Sequence, residues 1–263
     1  MNIQRRNNVS VLGHGPTDMI FAHGYGCDQN MWRLLTPAFA ERYRIILYDL
    51  VGSGRSDASA YDRVRYATLD GHARDLLAIA AEFARGPCVF VGHSVSAMIG
   101  VLAAIAQPER FLAHVMIGPS PCYINDADYV GGFTRDDINS LLDTLDSNYL
   151  GWASAMAPTI MGAPDRPELG QELTNSFCLT DPEIAKHFAH VTFLSDNRAD
   201  IRKLQTRSLI LQCTEDIIAP RVVGEYMHRV MPNSTLEHIE NIGHCPHLSA
   251  PLAIVDAMKS FLQ

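Results

Sequence analysis

The 263-residue sequence lacks most of the features that mark membrane, secreted or nucleic-acid-binding proteins. No apolar run is long enough to span a bilayer, and the basic residues near position 5 are not followed by the apolar segment of a signal peptide. The six cysteines form no C-x-x-C pair, which argues against a disulfide framework or a zinc motif. A formal net charge of -8 disfavours nucleic acid and anionic membranes as partners. We therefore expect a cytoplasmic protein with reduced thiols.

Short apolar runs alternate with longer amphipathic segments, a pattern typical of a mostly parallel sheet covered by helices. Apolar side chains recur at helical spacing over 69–83, and 98–106 is almost entirely apolar, which predicts a buried helix. The sequence thus predicts an α/β protein with strands at 9–12, 19–23, 44–48, 88–91, 114–117, 208–213 and 236–239.

The strand pattern stops for about seventy residues in the middle of the chain, where helical segments are separated by asparagine and proline. Within this stretch Thr180-Asp181-Pro182-Glu183 predicts a helix start, with Thr180 or Asp181 as its cap. We expect a helical cap over 123–196 inserted into a core formed by 1–122 and 197–263.

A serine lies at the junction between a predicted strand and the buried helix, in Gly92-His93-Ser94-Val95-Ser96. This arrangement is typical of a nucleophile elbow, G-x-S-x-G, in which a strained turn lifts the hydroxyl above the sheet. The fifth position is Ser96 instead of glycine, but serine is small enough for the turn. Ser94 is therefore the candidate nucleophile.

A serine nucleophile needs a general base and a carboxylate that orients the base. Two carboxylates, Glu215 and Asp216, follow the predicted strand at 208–213, and either is a candidate acid. The Gly-His pair at His244 lies in the loop after the last strand, so we favour His244 over His247 as the base. The predicted triad is Ser94, His244 and one of the two carboxylates.

The transition state of acyl transfer also needs backbone donors for its oxyanion. We expect one from Val95, directly after the nucleophile, and one from Tyr25, in the His-Gly turn after an early strand. The glycine-rich turn at 52–54 lacks the lysine of a phosphate loop, and no histidine belongs to an H-E-x-x-H metal motif. We therefore predict neither a cofactor nor a metal.

Together these motifs resemble α/β-hydrolases of the RsbQ group of bacterial energy-stress regulators, which are similar to the plant strigolactone and karrikin receptors. The likeness covers essentially the whole chain. It depends on Gly92-His93-Ser94-Val95-Ser96 and on His23-Gly24-Tyr25-Gly26-Cys27-Asp28-Gln29, Tyr48-Asp49-Leu50-Val51-Gly52-Ser53-Gly54, Gly118-Pro119-Ser120-Pro121-Cys122-Tyr123, Gly131-Gly132-Phe133, Leu211-Gln212-Cys213, Asp216-Ile217-Ile218-Ala219-Pro220 and Gly243-His244-Cys245-Pro246-His247.

The resemblance implies an α/β-hydrolase fold with a four-helix, V-shaped cap over an apolar pocket that binds a small hydrophobic ligand. It also implies Asp216 as the acid, and a signalling partner such as a PAS-domain phosphatase. Relatives typically carry phenylalanine at the position of Tyr25, whose hydroxyl could bond a ligand. The pocket residues implied by the resemblance are His93, Val95, Phe133, Trp152 and Phe193.

Three functions fit these features. The first is a regulatory serine hydrolase that slowly cleaves a small hydrophobic ester or lactone. The second is a metabolic carboxylesterase or C–C bond hydrolase, which rapid turnover without a partner would favour. The third is a non-catalytic receptor, which signalling that survives Ser94→Ala would favour. An intact triad favours the first two over the third.

Overall fold

The strands form one seven-stranded sheet in the computed structural model, which describes residues 2–263. The strand order is β1-β3-β2-β4-β5-β6-β7, and every neighbouring pair is parallel except β1 with β3. The predicted α/β-hydrolase fold class is confirmed. The strands are β1 (Ser10–Leu12), β2 (Thr17–Ala22), β3 (Tyr43–Tyr48), β4 (Cys88–His93), β5 (Phe111–Ile117), β6 (Ser208–Glu215) and β7 (Ser234–Ile242).

Helices cover both faces of the sheet, and short 3-10 turns lie at Gln29–Trp32, Thr36–Ala38, Ala58–Ala60 and Pro108–Arg110. None of the helices within 2–263 is long and apolar enough to cross a membrane. The α-helices are α1 (Ile3–Arg6), α2 (Asp70–Phe83), α3 (Val95–Ala106), α4 (Arg135–Ser147), α5 (Tyr149–Met161), α6 (Pro167–Leu179), α7 (Pro182–Phe193), α8 (Arg198–Ile201), α9 (Arg221–Val230), α10 (Pro246–Ser249) and α11 (Pro251–Phe261).

The core consists of two apolar layers, because successive side chains of a strand point to opposite faces of the sheet. In β2, Met19 and Phe21 join one layer, whereas Ile20 and Ala22 join the other. In β2 and β4 the side chains on both faces are almost all buried, which explains why these two sequences are continuous apolar runs instead of alternating ones. Helices α2, α3 and α9 pack in the second layer.

Four helices, α4 to α7, are inserted between β5 and β6 and lie within the predicted cap. Polar side chains begin three of them by accepting otherwise unpaired backbone N–H groups: Thr134 at α4, Asn148 at α5 and Asp181 at α7. Asp181, not Thr180, caps α7, and Pro182 occupies the first turn. A bridge between Cys122 and Asp196 joins the two ends of the insertion. This brings the cap over the carboxyl ends of the strands.

Candidate active site

Ser94 lies in a strained turn between β4 and α3. Its φ of 55° is one of two positive φ values among the non-glycine residues from 2 to 263. Such a conformation costs about 1–3 kcal/mol and persists only where the surroundings hold it. The Ser94 N–H donates to the Ile117 carbonyl at 2.8 Å, which ties the turn to the neighbouring strand. The turn therefore has the geometry of a nucleophile elbow.

Ser94, His244 and Asp216 form a continuous hydrogen-bonded relay, and all three are buried. The Ser94 Oγ lies 2.8 Å from His244 Nε2, and His244 Nδ1 lies 2.7 Å from Asp216 Oδ2. A carboxylate can only accept, so Nδ1–H donates to Asp216 and Nε2 is left to accept the serine proton. The other oxygen of Asp216 accepts the N–H groups of Ile218 and Ala219, at 2.8 and 3.1 Å. These bonds fix the carboxylate.

The alternative acid and base are placed elsewhere. Glu215 ends β6 with an exposed side chain, so the relay contains Asp216 instead. His247 is fully buried, and neither of its ring nitrogens has a hydrogen-bond partner. Its ring packs against Trp32 and His93, with centroids 4.9 and 4.4 Å away. Burial lowers the pKa of His247 to about 3, so this imidazole is neutral.

The loop that carries Tyr25 passes directly beside Ser94. A Cβ on Gly24 would lie 2.5 Å from His93 Nδ1 and 3.2 Å from the Ser94 Cβ, so only glycine allows this approach. Neither the Tyr25 N–H nor the Val95 N–H donates to another group within the described chain. Both amides are therefore free for an oxyanion.

Core and cap both hold this loop. Ser96 Oγ, from the first turn of α3, donates to the His23 carbonyl. From the cap, Ser176 Oγ donates to the Gly26 carbonyl at 2.8 Å. The ring of His23 braces the loop as well, since its Nε2 accepts the Leu50 N–H at 3.0 Å. Serine at the fifth position of the elbow thus makes a contact that glycine could not.

A narrow cavity of about 30 Å³ lies above Ser94, between the core and the cap. Its wall is mostly apolar and aromatic. A larger groove between α7 and the start of α2 contains no member of the relay. The lining residues of the cavity above Ser94 are Tyr25, Cys27, His93, Ser94, Tyr123, Trp152, Ile160, Leu173, Phe177, Thr192, Phe193, Ile218, His244 and Cys245.

One expectation about this cavity needs correction. Phe133 does not line it, because its backbone bridges to Ile124 and its half-buried side chain packs against the larger apolar cluster. The Tyr25 hydroxyl donates its hydrogen to the Ala185 carbonyl of α7 at 3.0 Å, so it can bind a ligand only as an acceptor. The structure places His93, Trp152 and Phe193 in the cavity wall, whereas Val95 is not among the residues that line it.

Comparison with known proteins identifies the fold family. The model of the "Alpha/beta hydrolase family" matches residues 19–257, which is most of the chain. This protein belongs to the α/β-hydrolase family. This α/β-hydrolase is 37% identical to Karrikin insensitive 2 receptor CA from Petunia hybrida over 97% of this chain and 95% of that protein. It is 36% identical to Strigolactone esterase D14 from Arabidopsis thaliana over 99% of this chain and 98% of that protein.

A solved hydrolase structure from Oleispira antarctica has a TM-score of 0.96 and 42% sequence identity to this α/β-hydrolase. The match covers all of this chain and 96% of the other. The likeness extends through the cap as well as the core, since the matched region includes the whole insertion between β5 and β6.

The sequence did not single out several cavity residues of this α/β-hydrolase. Tyr123 belongs to the motif that follows β5, and its position after a strand end was a usable signal. Burial raises its pKa to about 12, so the phenol is protonated. Phe177 stacks on Trp152 with centroids 5.8 Å apart, but nothing in the helical pattern of α6 distinguishes it from a packing residue.

Proposed function

We propose that this α/β-hydrolase is a serine hydrolase that cleaves a small hydrophobic ester or lactone. The observation that carries the proposal is the relay from Ser94 through His244 to Asp216, which opens into a narrow apolar cavity. The strained elbow and the free amides beside it support the same chemistry.

In the proposed reaction, Ser94 Oγ attacks the substrate carbonyl while His244 Nε2 takes the hydroxyl proton. Asp216 stabilises the imidazolium that forms, and the N–H groups of Val95 and Tyr25 donate to the oxyanion. As the tetrahedral intermediate collapses, the bond to the leaving oxygen breaks and His244 returns its proton to that oxygen. Water activated by His244 then hydrolyses the acyl-enzyme and restores the Ser94 hydroxyl.

The shape of the cavity supports a small substrate. Aromatic rings from the cap, Trp152, Phe177 and Phe193, enclose the space above the serine. Tyr25 packs edge-on against Trp152 and Phe177, with centroids 6.4 and 5.9 Å away, which closes the floor. We therefore expect the site to favour a short ester or a compact lactone over long acyl chains.

We further propose a signalling role like that of the RsbQ group, with slow turnover and a protein partner such as a PAS-domain phosphatase. The names of two relatives, a karrikin receptor and a strigolactone esterase, support a link between hydrolysis and signalling. A metabolic carboxylesterase or C–C bond hydrolase would use the same triad, so turnover rate and partner binding distinguish these roles.

The first test is hydrolysis of p-nitrophenyl esters from acetate to longer acyl chains. Wild type should cleave the short esters, and Ser94→Ala should lose about 10³-fold or more of this activity, because triad members act as a unit. Ser154→Ala, which removes an exposed cap serine, is the matched control and should keep full activity. Cleavage that survives Ser94→Ala would overturn the assignment of the nucleophile.

The chain-length profile tests the remaining parts of the proposal. Slow cleavage restricted to short chains supports a regulatory hydrolase with a small cavity. Fast turnover without a partner would contradict the signalling role and favour a metabolic esterase. An absence of cleavage in both wild type and Ser94→Ala would contradict esterase activity on this class of substrate.

A further inference from the structure

Three buried side chains with metal-binding atoms meet directly beside the triad. One ring nitrogen each of His93 and His247 and the Sγ of Cys245 lie within 4.8 Å of one another. Each of the three residues is no more than 2% exposed. The ligands come from the elbow and from the loop and short helix α10 after β7, which are far apart in the chain. Motif spacing therefore could not predict this cluster, called here the Cys-His cluster.

The imidazoles of the Cys-His cluster have unused binding capacity. Both ring nitrogens of His247 are buried without a hydrogen-bond partner, and so is Nδ1 of His93. Nε2–H of His93 donates to the His244 carbonyl at 2.8 Å, so the lone pair of that ring lies on Nδ1. Buried polar groups are nearly always paired, so three unpaired imidazole nitrogens in one place need an explanation.

We propose that the Cys-His cluster is a binding site for a soft divalent metal ion of the Zn²⁺ class, and that a bound ion inhibits the hydrolase. The ligand set is one thiolate and two neutral imidazoles, which suits Zn²⁺ and leaves one position open. Binding releases the Cys245 proton to solvent, since the thiolate is the form that binds metal. His93 and Cys245 also line the cavity above Ser94, which gives the ion a route inward.

Inhibition follows from how the ligands are connected to the triad. Zn²⁺ binds sulfur at about 2.3 Å and imidazole nitrogen at about 2.0 Å, so ligand atoms of a tetrahedral site lie roughly 3.5 Å apart. The ligand atoms of the Cys-His cluster lie within 4.8 Å of one another, so any pair farther apart than about 3.5 Å must contract around the ion. His93 precedes Ser94 and Cys245 follows His244 in the chain, so contraction displaces both members of the 2.8 Å hydrogen bond between Ser94 and His244. We expect this displacement to lower kcat/KM by about tenfold or more when the site is occupied.

Two measurements on the purified full-length chain test this proposal. Co²⁺ added to the metal-free protein should give a thiolate-to-cobalt charge-transfer band in the near ultraviolet, with one ion per chain by equilibrium dialysis. Zn²⁺ should inhibit the hydrolysis of p-nitrophenyl acetate, and a chelator should restore it. The inhibition depends on the proposed esterase function, but the cobalt band does not, so Ser94→Ala should keep the band.

The decisive variant is His247→Leu, which removes a ligand that makes no hydrogen bond and so should still fold. It should weaken Co²⁺ and Zn²⁺ binding by at least about tenfold, in line with the cost of losing metal-supporting groups. Cys245→Ser should abolish the charge-transfer band. Cys178→Ser, which removes an exposed thiol outside the cluster, is the matched control and should change neither.

Each part of the proposal has its own refutation. No bound cobalt and no charge-transfer band, or a band that persists in Cys245→Ser, would overturn the site. A band that disappears in Cys178→Ser would place the metal elsewhere. A normal band with undiminished hydrolysis would overturn the inhibition. A normal band in a protein that shows no esterase activity at all would contradict the proposed function while supporting the site.

Discussion

The hydroxyl of Ser96 offers the sharpest test of how the loop that carries Tyr25 is held. It donates to the carbonyl of His23, and both residues are fully buried. Ser96→Ala removes this donor and leaves the His23 carbonyl without it, one residue before the turn that carries Tyr25. We expect lower stability and a slower chemical step.

The loss of stability can be worked from the contact. A buried acceptor that loses its donor costs about 1–3 kcal/mol, and alanine returns up to about 0.5 kcal/mol because it favours the helix more than serine does. The net destabilisation is about 0.5–3 kcal/mol. An unfolding entropy of about 2.1 cal/mol/K per residue over 263 residues gives a fall in Tm of about 1–5 °C.

The effect on catalysis has a separate magnitude. Removing an oxyanion donor outright lowers kcat by about 10²–10³-fold. Ser96→Ala leaves the amides of Tyr25 and Val95 in place and only loosens the first, so we expect kcat to fall by about tenfold. KM should change little, because the oxyanion forms only in the transition state.

The assay combines thermal unfolding with steady-state hydrolysis of a short p-nitrophenyl ester. Ser208→Ala is the matched control, because its hydroxyl is also fully buried and donates to a backbone carbonyl, that of Thr206, at 2.9 Å. Ser208 begins β6, at the end of the sheet opposite the relay. The control should lose stability but keep kcat. An equal kcat for both variants would refute the role of Ser96 in positioning the loop.

Other substitutions test separate parts of the site. Asp216→Asn should lower kcat by about 10⁴-fold, because its amide N–H would donate to His244 Nδ1 and leave Nε2 protonated, unable to accept the Ser94 proton. Glu215→Gln should change kcat by less than about twofold, and the reverse order would reassign the acid. Tyr25→Phe should leave KM nearly unchanged and cost about 0.5–1.5 kcal/mol of stability through the lost bond to α7, and a large rise in KM would show that the hydroxyl binds substrate. Burial lowers the pKa of His114 to about 3, so stability is complete above the unfolded pKa of about 6.5 and falls with pH below it. As the pH falls from 7.5 to 5, the free energy of unfolding of His114→Leu should therefore decrease by about 2 kcal/mol less than that of wild type. Urea unfolding at the two pH values measures both, and an equal decrease would contradict this.

The sequence predicted the sheet and the relay well because both depend on local signals. Apolar runs mark strands, and a small-residue turn between a strand and a helix marks the elbow at Ser94. Asp216 and His244 each follow a strand, and the carboxyl ends of parallel strands lie at one edge of a sheet. Ser94, His244 and one of two neighbouring carboxylates could therefore be placed together from local signals, and the resemblance chose Asp216 over Glu215.

The cap was less predictable because its cavity depends on how each helix is rotated. An aromatic residue on a cap helix can face the cavity, a neighbouring helix or the core, and hydrophobic spacing does not distinguish these cases. Phe133 precedes α4, and a backbone bridge to Ile124 fixes its position, so no helical pattern applies to it. Phe177 lies in the cavity wall only because α6 packs against the loop at Gly26.

The same packing explains why substrate binding and catalysis are difficult to separate in this molecule. The loop that offers the Tyr25 amide is bonded to the core by Ser96 and to the cap by Ser176. Tyr25 itself bonds to α7 through its hydroxyl while its ring lines the cavity. Any change in the cap that alters the cavity must therefore also act on the loop. For this reason Ser96, which lies in the core and outside the cavity wall, isolates the position of the oxyanion donor from the fit of the substrate.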